Sequence, residues 1–370
     1  MNLLKHSALG ILAGAVIAFG FHSSADAQFY KGKRVNIIIN YSPGGNTDIQ
    51  GRMVMRYMKK FIPGNPRLVF RHVSGAAGSV GANFLADVGK TNGSMMGIFT
   101  IPIMFQVMKD PSLRADLAND FVFVGSIAQQ TISHIRVDSI PGKKITSYKD
   151  VLFEKEHKIR TGGHGPQSSK DMRTRLFFEA LKIPHQPITG YKSGGKMRAA
   201  LHKGEIDMTA DSLAGYFGRV VPQLIKPGTS IPVWHIGRPT ADGDIVHASS
   251  VPKDIPSFKK VYEEKFGKGK RPPRLVWEAI STIAGTREML RIIVFKKGTT
   301  KKAVSAMRAA WAKTIKDPDF RKEYKRVNGS EFGGMNGVES GKYIKRLLNV
   351  KPELQKFLFD FARSHPIYKK

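Results

Sequence analysis

The sequence predicts an α/β protein of two lobes, each a mostly parallel sheet flanked by helices. Three observations carry that expectation. β-Rich runs alternate with segments whose apolar residues recur every three to four positions. Glycine-rich turns join many of them. The length, 370 residues, fits two units of about 150 residues each.

Arg34 to Tyr41 is the first β-rich run, and Ser42-Pro43-Gly44-Gly45 is turn chemistry. Asn46 or Thr47 is suited to cap the helix that follows. Ile49, Met53, Tyr57 and Phe61 recur every four residues and give that helix one apolar face, closed by Pro63-Gly64. Arg67 to Val73 is a second strand, Gly75 to Ala82 a glycine-rich loop, Val80 to Val88 a helix and Met95 to Thr100 a third strand. This β-α-β-α-β order implies parallel pairing with helical crossovers.

Phe121 to Ile127 and Ser133 to Val137 read as further strands. Ser147 caps a short helix ending at Phe153. Lys158 to Thr161 is a strand entering the loop Gly162 to Pro166. Helices follow over Ser168 to Leu181 and Gly194 to Lys203. Ile206 to Ala210, Ile231 to Ile236 and Arg291 to Phe295 are strands, and the chain beyond Lys301 is mostly helical. The expected division is residues 28–130 for the first lobe and 131–260 for the second. Residues 261–370 then supply a basic insertion, a return strand and C-terminal helices packing back on the first lobe. Lys253 to Arg274 holds eight Lys/Arg against three Asp/Glu and reads as an exposed basic stretch.

Lys5 and His6 precede an apolar run from Ala8 to Phe21, and Ala25-Asp26-Ala27 follows. This is the pattern of a secretory leader with cleavage after Ala27, and the run falls short of the roughly 20 residues needed to span a bilayer. A soluble, monomeric periplasmic protein is expected, with nucleic acid excluded as a partner by the compartment. Sixty Lys+Arg against 29 Asp+Glu give a net charge of +31, which attracts anions of every kind. The absence of cysteine excludes disulfides, thiolate zinc sites and cysteine nucleophiles.

Catalytic signatures are missing. Gly89-Lys90-Thr91 lacks the glycine five residues before it that a P-loop needs, since Phe84 stands there. Ser193-Gly194-Gly195-Lys196 fits S-x-x-K without its companion motifs. No histidine spacing suits a metal, so neither metal nor organic cofactor is expected. What remains is three glycine-rich loops at strand ends, Ser42 to Asp48, Ser74 to Ala82 and the one after Gly162. Backbone N–H groups and a helix N-terminus at such places attract anions without charged side chains. The glycines also fit tight turns alone.

Tyr41-Ser-Pro-Gly-Gly-Asn-Thr-Asp48 followed by Ser74-Gly-Ala-Ala-Gly-Ser-Val-Gly-Ala82 resembles the substrate-binding receptors of tripartite tricarboxylate transporters, the Bug-type proteins. Gly190-Tyr191-Lys192-Ser193-Gly194-Gly195, Gly204 to Asp211 and Lys316-Asp-Pro-Asp319 match that family's later motifs in order. The resemblance implies a periplasmic binding protein-like fold that closes an interlobe cleft around a carboxylate-bearing molecule and hands it to membrane transporter subunits. It implies that Ser42, Gly44, Gly45, Asn46, Thr47 and Asp48, with Gly75, Ala76, Ala77, Gly78 and Ser79, hold a carboxylate through backbone N–H groups and ordered water. In the second lobe it points to Thr161, Gly162, His164, Ser168, Ser169, Tyr191 and Asp211. The last is a position where some relatives recognise an amino group. Three departures stand out, one of them the extended segment around Lys253 to Arg274. The loop Gly162 to Gln167 is long, and Met172, flanked by Asp171 and Arg173, stands where the family often has histidine. The alternatives are a periplasmic enzyme acting on an anionic small molecule and a basic protein that coats anionic surfaces.

Overall fold

The computed structural model describes residues 28–240 and 242–368. The expected leader, residues 1–27, lies outside the described residues. Among the described residues no helix is long and apolar enough to cross a membrane.

The chain opens with β1 (Arg34–Ile39), α1 (Asn46–Lys59), β2 (Arg67–His72), α2 (Ser79–Val88), β3 (Met95–Thr100), α3 (Ile103–Val107) and β4 (Phe121–Ile127). It crosses to β5 (Thr131–Arg136), α4 (Tyr148–Leu152), β6 (Ile159–Gly162), α5 (Ser169–Ala180), β7 (His185–Ile188), α6 (Gly194–His202), β8 (Met208–Ser212), α7 (Leu213–Gly215) and β9 (Ser230–His235). A small antiparallel pair follows, β10 (Arg238–Pro239) and β11 (Ile245–Val246), then α8 (Phe258–Phe266), α9 (Arg274–Gly285) and β12 (Arg291–Lys296). The chain ends with α10 (Lys301–Thr314), α11 (Pro318–Asn328), β13 (Gly334–Asn336), α12 (Gly337–Leu348) and α13 (Pro352–Arg363).

Two sheets form the two lobes, one of six strands in the order β13-β4-β12-β3-β1-β2 and one of five in the order β7-β6-β8-β5-β9. Both are mixed rather than mostly parallel. β1 pairs in parallel with β2 and β3, whereas β12 runs antiparallel to β3 and β4 between which it sits. The reason is topological. β4 delivers the chain to the second lobe, and β12 brings it back, entering at the edge where the other strands leave. In the second lobe β6 is parallel to β7 and β8, but β5, which starts at the cleft, is antiparallel to β8 and β9. The strand ends that face the other lobe therefore carry the site.

The first-lobe core follows strand alternation. Val35, Ile37 and Ile39 pack with Met53, Met58, Trp311, Phe320 and Tyr324, so α1, α10 and α11 cover one face. Ile38 faces the other way, into a cluster with Phe99 and Phe121. The basic stretch expected to be exposed keeps six of its eight Lys/Arg exposed, but it is anchored by a helix. α8 occupies Phe258–Phe266, across the boundary expected at residue 260, and Phe258 stacks on Phe177 with ring centroids 4.1 Å apart. The tip from Gly267 to Arg271 is the longest exposed run of the stretch. The charge pattern concealed an apolar stripe of Phe258, Val261 and Tyr262, all buried.

Candidate functional site

The loop after β1 is held by buried Asn40, whose Nδ2 donates to the carbonyls of Gly78 (3.1 Å) and Thr100 (2.8 Å) while its Oδ1 accepts from Thr100 N–H (3.0 Å). One side chain thus fixes three strand-end segments of the first lobe. The Tyr41 hydroxyl adds a bond to the Ala77 carbonyl at 2.7 Å. Ala76 and Ala77 adopt left-handed φ angles of 40° and 48° before Gly78 at 97°. Each alanine there costs about 1–2 kcal/mol, offset by these bonds. A Cβ on Gly78 would lie 2.6 Å from Asn40 Nδ2, so this glycine is needed for the turn itself.

The N-cap of α1 is Gly45, not Asn46 or Thr47. This releases both side chains. Thr47 Oγ1 meets Thr100 Oγ1 at 2.7 Å, and Asn46 reaches the other lobe. Asp48 is consumed inside the first lobe by Gly44 N–H (3.0 Å), Arg52 Nε (2.8 Å) and His72 Nε2 (2.8 Å). Burial pushes its pKa up, but these donors outweigh burial and hold it below the usual carboxylate range.

In the second lobe Ser168 caps α5 and Asp171 organises the loop in front of it. The Asp171 carboxylate accepts the N–H groups of His164 (2.8 Å) and Gly165 (3.3 Å) and the Ser168 hydroxyl. Burial pushes Asp171 up to about 6. His164 Nδ1 lies 2.8 Å from the Tyr191 carbonyl, which can only accept, so Nδ1 carries the proton. Burial, with Lys170 adding to it, drives His164 down to about 3, so it is neutral at physiological pH. Its ring packs on Tyr41 of the first lobe with centroids 4.8 Å apart.

Between the lobes lies a cleft with about 690 Å³ of space not occupied by atoms, part of it open to solvent. Of the residues singled out in the sequence, Gly45, Asn46, Thr47, Ala77, His164, Ser168 and Ser169 line it. Ser42, Gly44, Asp48, Gly75, Ala76, Gly78, Ser79, Thr161, Gly162, Tyr191 and Asp211 do not line it. Asp211 points away from the cleft, between lining residues Ala210 and Ser212. Its carboxylate accepts from Asn46 Nδ2 (2.7 Å), Arg198 Nη1 (2.7 Å) and His134 Nε2 (3.1 Å). Burial opposes its ionisation, but Arg198 and His134 hold it far below the usual range. Three donors from the protein thus already engage the carboxylate that the resemblance assigned to a ligand's amino group.

The sequence reading missed the cationic wall. Arg173 of α5, Arg287 in the turn after α9 and Arg291, the first residue of β12, all line the cleft and are 2%, 4% and 3% exposed. Arg198 pairs with Asp211 and Arg175 with Glu179. Among the described residues no carboxylate lies within 4 Å of the other three guanidinium groups. Arg173 Nη1 donates to Thr131 Oγ1 (2.7 Å), and Arg287 donates to its neighbour Thr286 Oγ1 (2.7 Å). Arg173 Nη2 and Arg291 Nε are buried with no partner. Burial pushes Arg173 and Arg291 down to about 10, and it pushes Arg287 well below its ordinary value, with Arg173 and Arg291 adding repulsion. Lys170, also on the wall, is pushed down by burial to about 8. Positive charge in a desolvated cleft, offset in part at Arg173 by the charge of Asp171, is chemistry for holding an anion. A signal existed in the sequence: arginine at the mouth of the apolar run Arg291 to Phe295, and Arg173 set within Met172-Arg173-Thr174-Arg175-Leu176.

No family model matches the chain, nor does the sequence of any curated protein. Solved structures do match. The periplasmic binding protein BugD superposes with a TM-score of 0.65 at 15% identity, over 90% of this chain and 99% of its own. MatC from Rhodopseudomonas palustris, solved with bound malate, gives 0.62 at 14% identity over 89% and 99%. A second R. palustris protein, solved with adipate, gives 0.65 at 17% identity over 89% and 97%. The chain has the fold of a periplasmic binding protein. In that fold the cleft between β1–β4 and β5–β9 is the place where strand ends from both lobes converge, and here it is the place where the unpaired arginines sit.

Proposed function

We propose that this protein is an exported, monomeric solute receptor that closes on a small carboxylate-bearing molecule and delivers it to a membrane transporter of the tripartite tricarboxylate type. The observation that carries the reading is the cleft wall, where Arg173, Arg287 and Arg291 are buried without carboxylate partners. Neutral donors support it: Thr47, Thr100 and Ser169 line the same space. The fold's likeness to proteins solved with malate and with adipate agrees with a carboxylate. The leader pattern at residues 1–27 supports export, and the protein binds its ligand without transforming it.

The test is mass spectrometry of whatever copurifies, followed by a thermal-shift screen of mono-, di- and tricarboxylates and calorimetry of each that shifts. Binding that persists in 1 M salt is expected of a desolvated cleft, because screening acts mainly on exposed charge. Binding only to polyanions, lost in salt, would replace the receptor with a surface-coating protein. Turnover of a bound acid would make it an enzyme.

A further inference from the structure

A second recess lies outside the cleft, with about 1320 Å³ of space not occupied by atoms, part of it open to solvent. Its walls belong to different lobes. Arg346 and Leu347 come from α12, which packs on β4 of the first lobe, where Ser340 Oγ meets Ser126 Oγ at 3.0 Å. The other wall is α9, which packs on α5 of the second lobe, together with the turn between β10 and β11. Trp277 of α9 is fixed there by its Nε1–H, which donates to the Gly243 carbonyl at 3.0 Å. The loop from α12 into α13 supplies the rest of the lining.

The apolar part of this lining is recessed. Trp277 and Leu354 are 7% and 6% exposed, and Leu347 and Val350 are half-buried. The charged part is mainly cationic, with Arg271, Arg274, Arg346 and Lys351 against Asp242 and Glu278. Arg271 pairs with Asp244 and Arg274 with Glu353, but among the described residues Arg346 and Lys351 have no carboxylate within 4 Å. Arg271 lies over the Trp277 ring, 4.9 Å from its centroid. Tryptophan and arginine held in place beside recessed apolar surface are the residues that dominate protein–protein interfaces.

These features select the occupant. A second copy of the chain would bring a net charge of +31 against the same charge. A flat bilayer surface does not reach the recessed faces of Trp277 and Leu354. A segment of another protein meets both demands if it carries apolar side chains for the recess and Asp or Glu for Arg346 and Lys351. We propose that the groove between α9 and the α12–α13 loop is a docking site for a partner protein's segment of apolar residues flanked by acidic ones. The assignment is independent of what the cleft binds, and a segment seated in the groove touches both lobes.

The experiment is selection of random twelve-residue peptides displayed on phage against the full mature chain, with Ser281→Trp as the counter-target. Ser281 lines the groove half-buried, and an indole there fills it. Enriched peptides should share apolar residues flanked by Asp or Glu. A synthetic representative, followed by fluorescence anisotropy, should bind Ser281→Trp at least about tenfold more weakly than the parent. The double variant Arg346→Gln with Lys351→Glu should show a loss of similar size. That variant changes only exposed side chains, so it keeps the test standing should Ser281→Trp fail to fold. Lys268→Ala, outside the groove, should bind as the parent does. Enriched peptides without acidic residues, or affinity unchanged in both groove variants, overturn the proposal. Absence of enrichment overturns it as well. Self-association in sedimentation equilibrium that the groove variants abolish would put a second copy in the segment's place. Binding to phosphatidylglycerol vesicles that they abolish would put an anionic membrane there. None of these outcomes touches the receptor reading, because Ser281, Arg346 and Lys351 do not line the cleft.

Discussion

Asn46 of the first lobe donates from Nδ2 to Asp211 Oδ1 of the second at 2.7 Å, and its own Oδ1 accepts Arg198 Nη1 at 3.1 Å. A single amide is therefore inserted into the buried Asp211–Arg198 pair of the opposite lobe. The residue predicted in the sequence to contact a ligand also works as the link between lobes. The residue implied there to read an amino group is the acceptor of that link.

Asn46→Ala and Asp211→Asn should accordingly behave differently. The alanine removes an interlobe contact and leaves the Asp211–Arg198 pair whole. It should weaken ligand binding by about 5- to 20-fold, the worth of one or two hydrogen bonds to charged groups, with unfolding of the ligand-free protein nearly unchanged. Asp211→Asn leaves Arg198 buried without its carboxylate and should cost about 3–5 kcal/mol of stability. Urea unfolding and calorimetry on both variants check this. Equal loss of stability in the two would remove the linking role assigned to Asn46.

The alternation of strands and helices was legible because it is local. Turn residues such as Pro43-Gly44-Gly45 and the cap Ser147 act within a few positions, and Ser147 caps α4 in the structure. The mixed character of the sheets was not legible, because it depends on where β12 inserts after a long excursion through the other lobe. The same insertion brings Arg291 to the cleft, opposite Thr100 of β3. Arg173 stayed hidden for another reason. α5 is buried continuously from Asp171 to Phe178, so it has no polar face against which an inward-facing arginine would stand out. Backbone donors at Gly45 and Gly78 were read as the anion site because glycine loops are visible in a sequence, whereas convergence of distant arginines is not.

Gly45→Ala should block closure without harming the fold. Gly45 has a φ of −78°, which alanine adopts freely, and its Cβ would crowd the Ser42 carbonyl at 3.2 Å only slightly, yet it would lie 2.9 Å from Ser193 Cβ across the cleft. The expected result is an unfolding midpoint like the parent's and binding weakened at least about tenfold, roughly 1.4 kcal/mol. In small-angle scattering the ligand should no longer compact the variant. Gly44→Ala is the control: its φ of 71° brings modest strain but no neighbour lies within 4 Å. Compaction of Gly45→Ala by ligand to the parent's dimensions would refute the steric role.

The basic stretch should divide in two by energetics. Phe258 is fully buried against Phe177, so Phe258→Ala should cost about 3–5 kcal/mol. Lys268 and Lys270 sit on the exposed tip, and alanine at either should stay within about 0.5 kcal/mol of the parent in stability. Neither lysine should alter ligand affinity, because neither lines the cleft. Denaturation and calorimetry together read both quantities. Loss of binding on removing these lysines would move the site from the cleft to the surface.

Binding of an anion should draw a proton onto Lys170. Burial holds this lysine down to about 8, with Asp211 and Asp171 opposing burial and Arg173 and Arg198 adding to it. A lysine depressed in the folded state is partly neutral near pH 8, and an anion placed beside it on the cleft wall restores the charged form. The sign follows: binding raises the pKa, so the complex holds more protons than the free partners. At pH 8 the uptake should reach up to about half a proton, rise further to a maximum near about pH 9, and fall toward zero below about pH 7, where the free lysine is already charged. His164, held down to about 3 by burial, contributes nothing in this range. Asp171, raised to about 6 by burial, contributes only at lower pH, where an adjacent anion raises it further. Calorimetry at pH 8 in buffers of different ionisation enthalpy gives the proton count directly. Lys170→Met should abolish the uptake at pH 8 and retain that between pH 5 and 7. Uptake at pH 8 that survives this substitution would assign the proton to another group and remove Lys170 from the anion's surroundings.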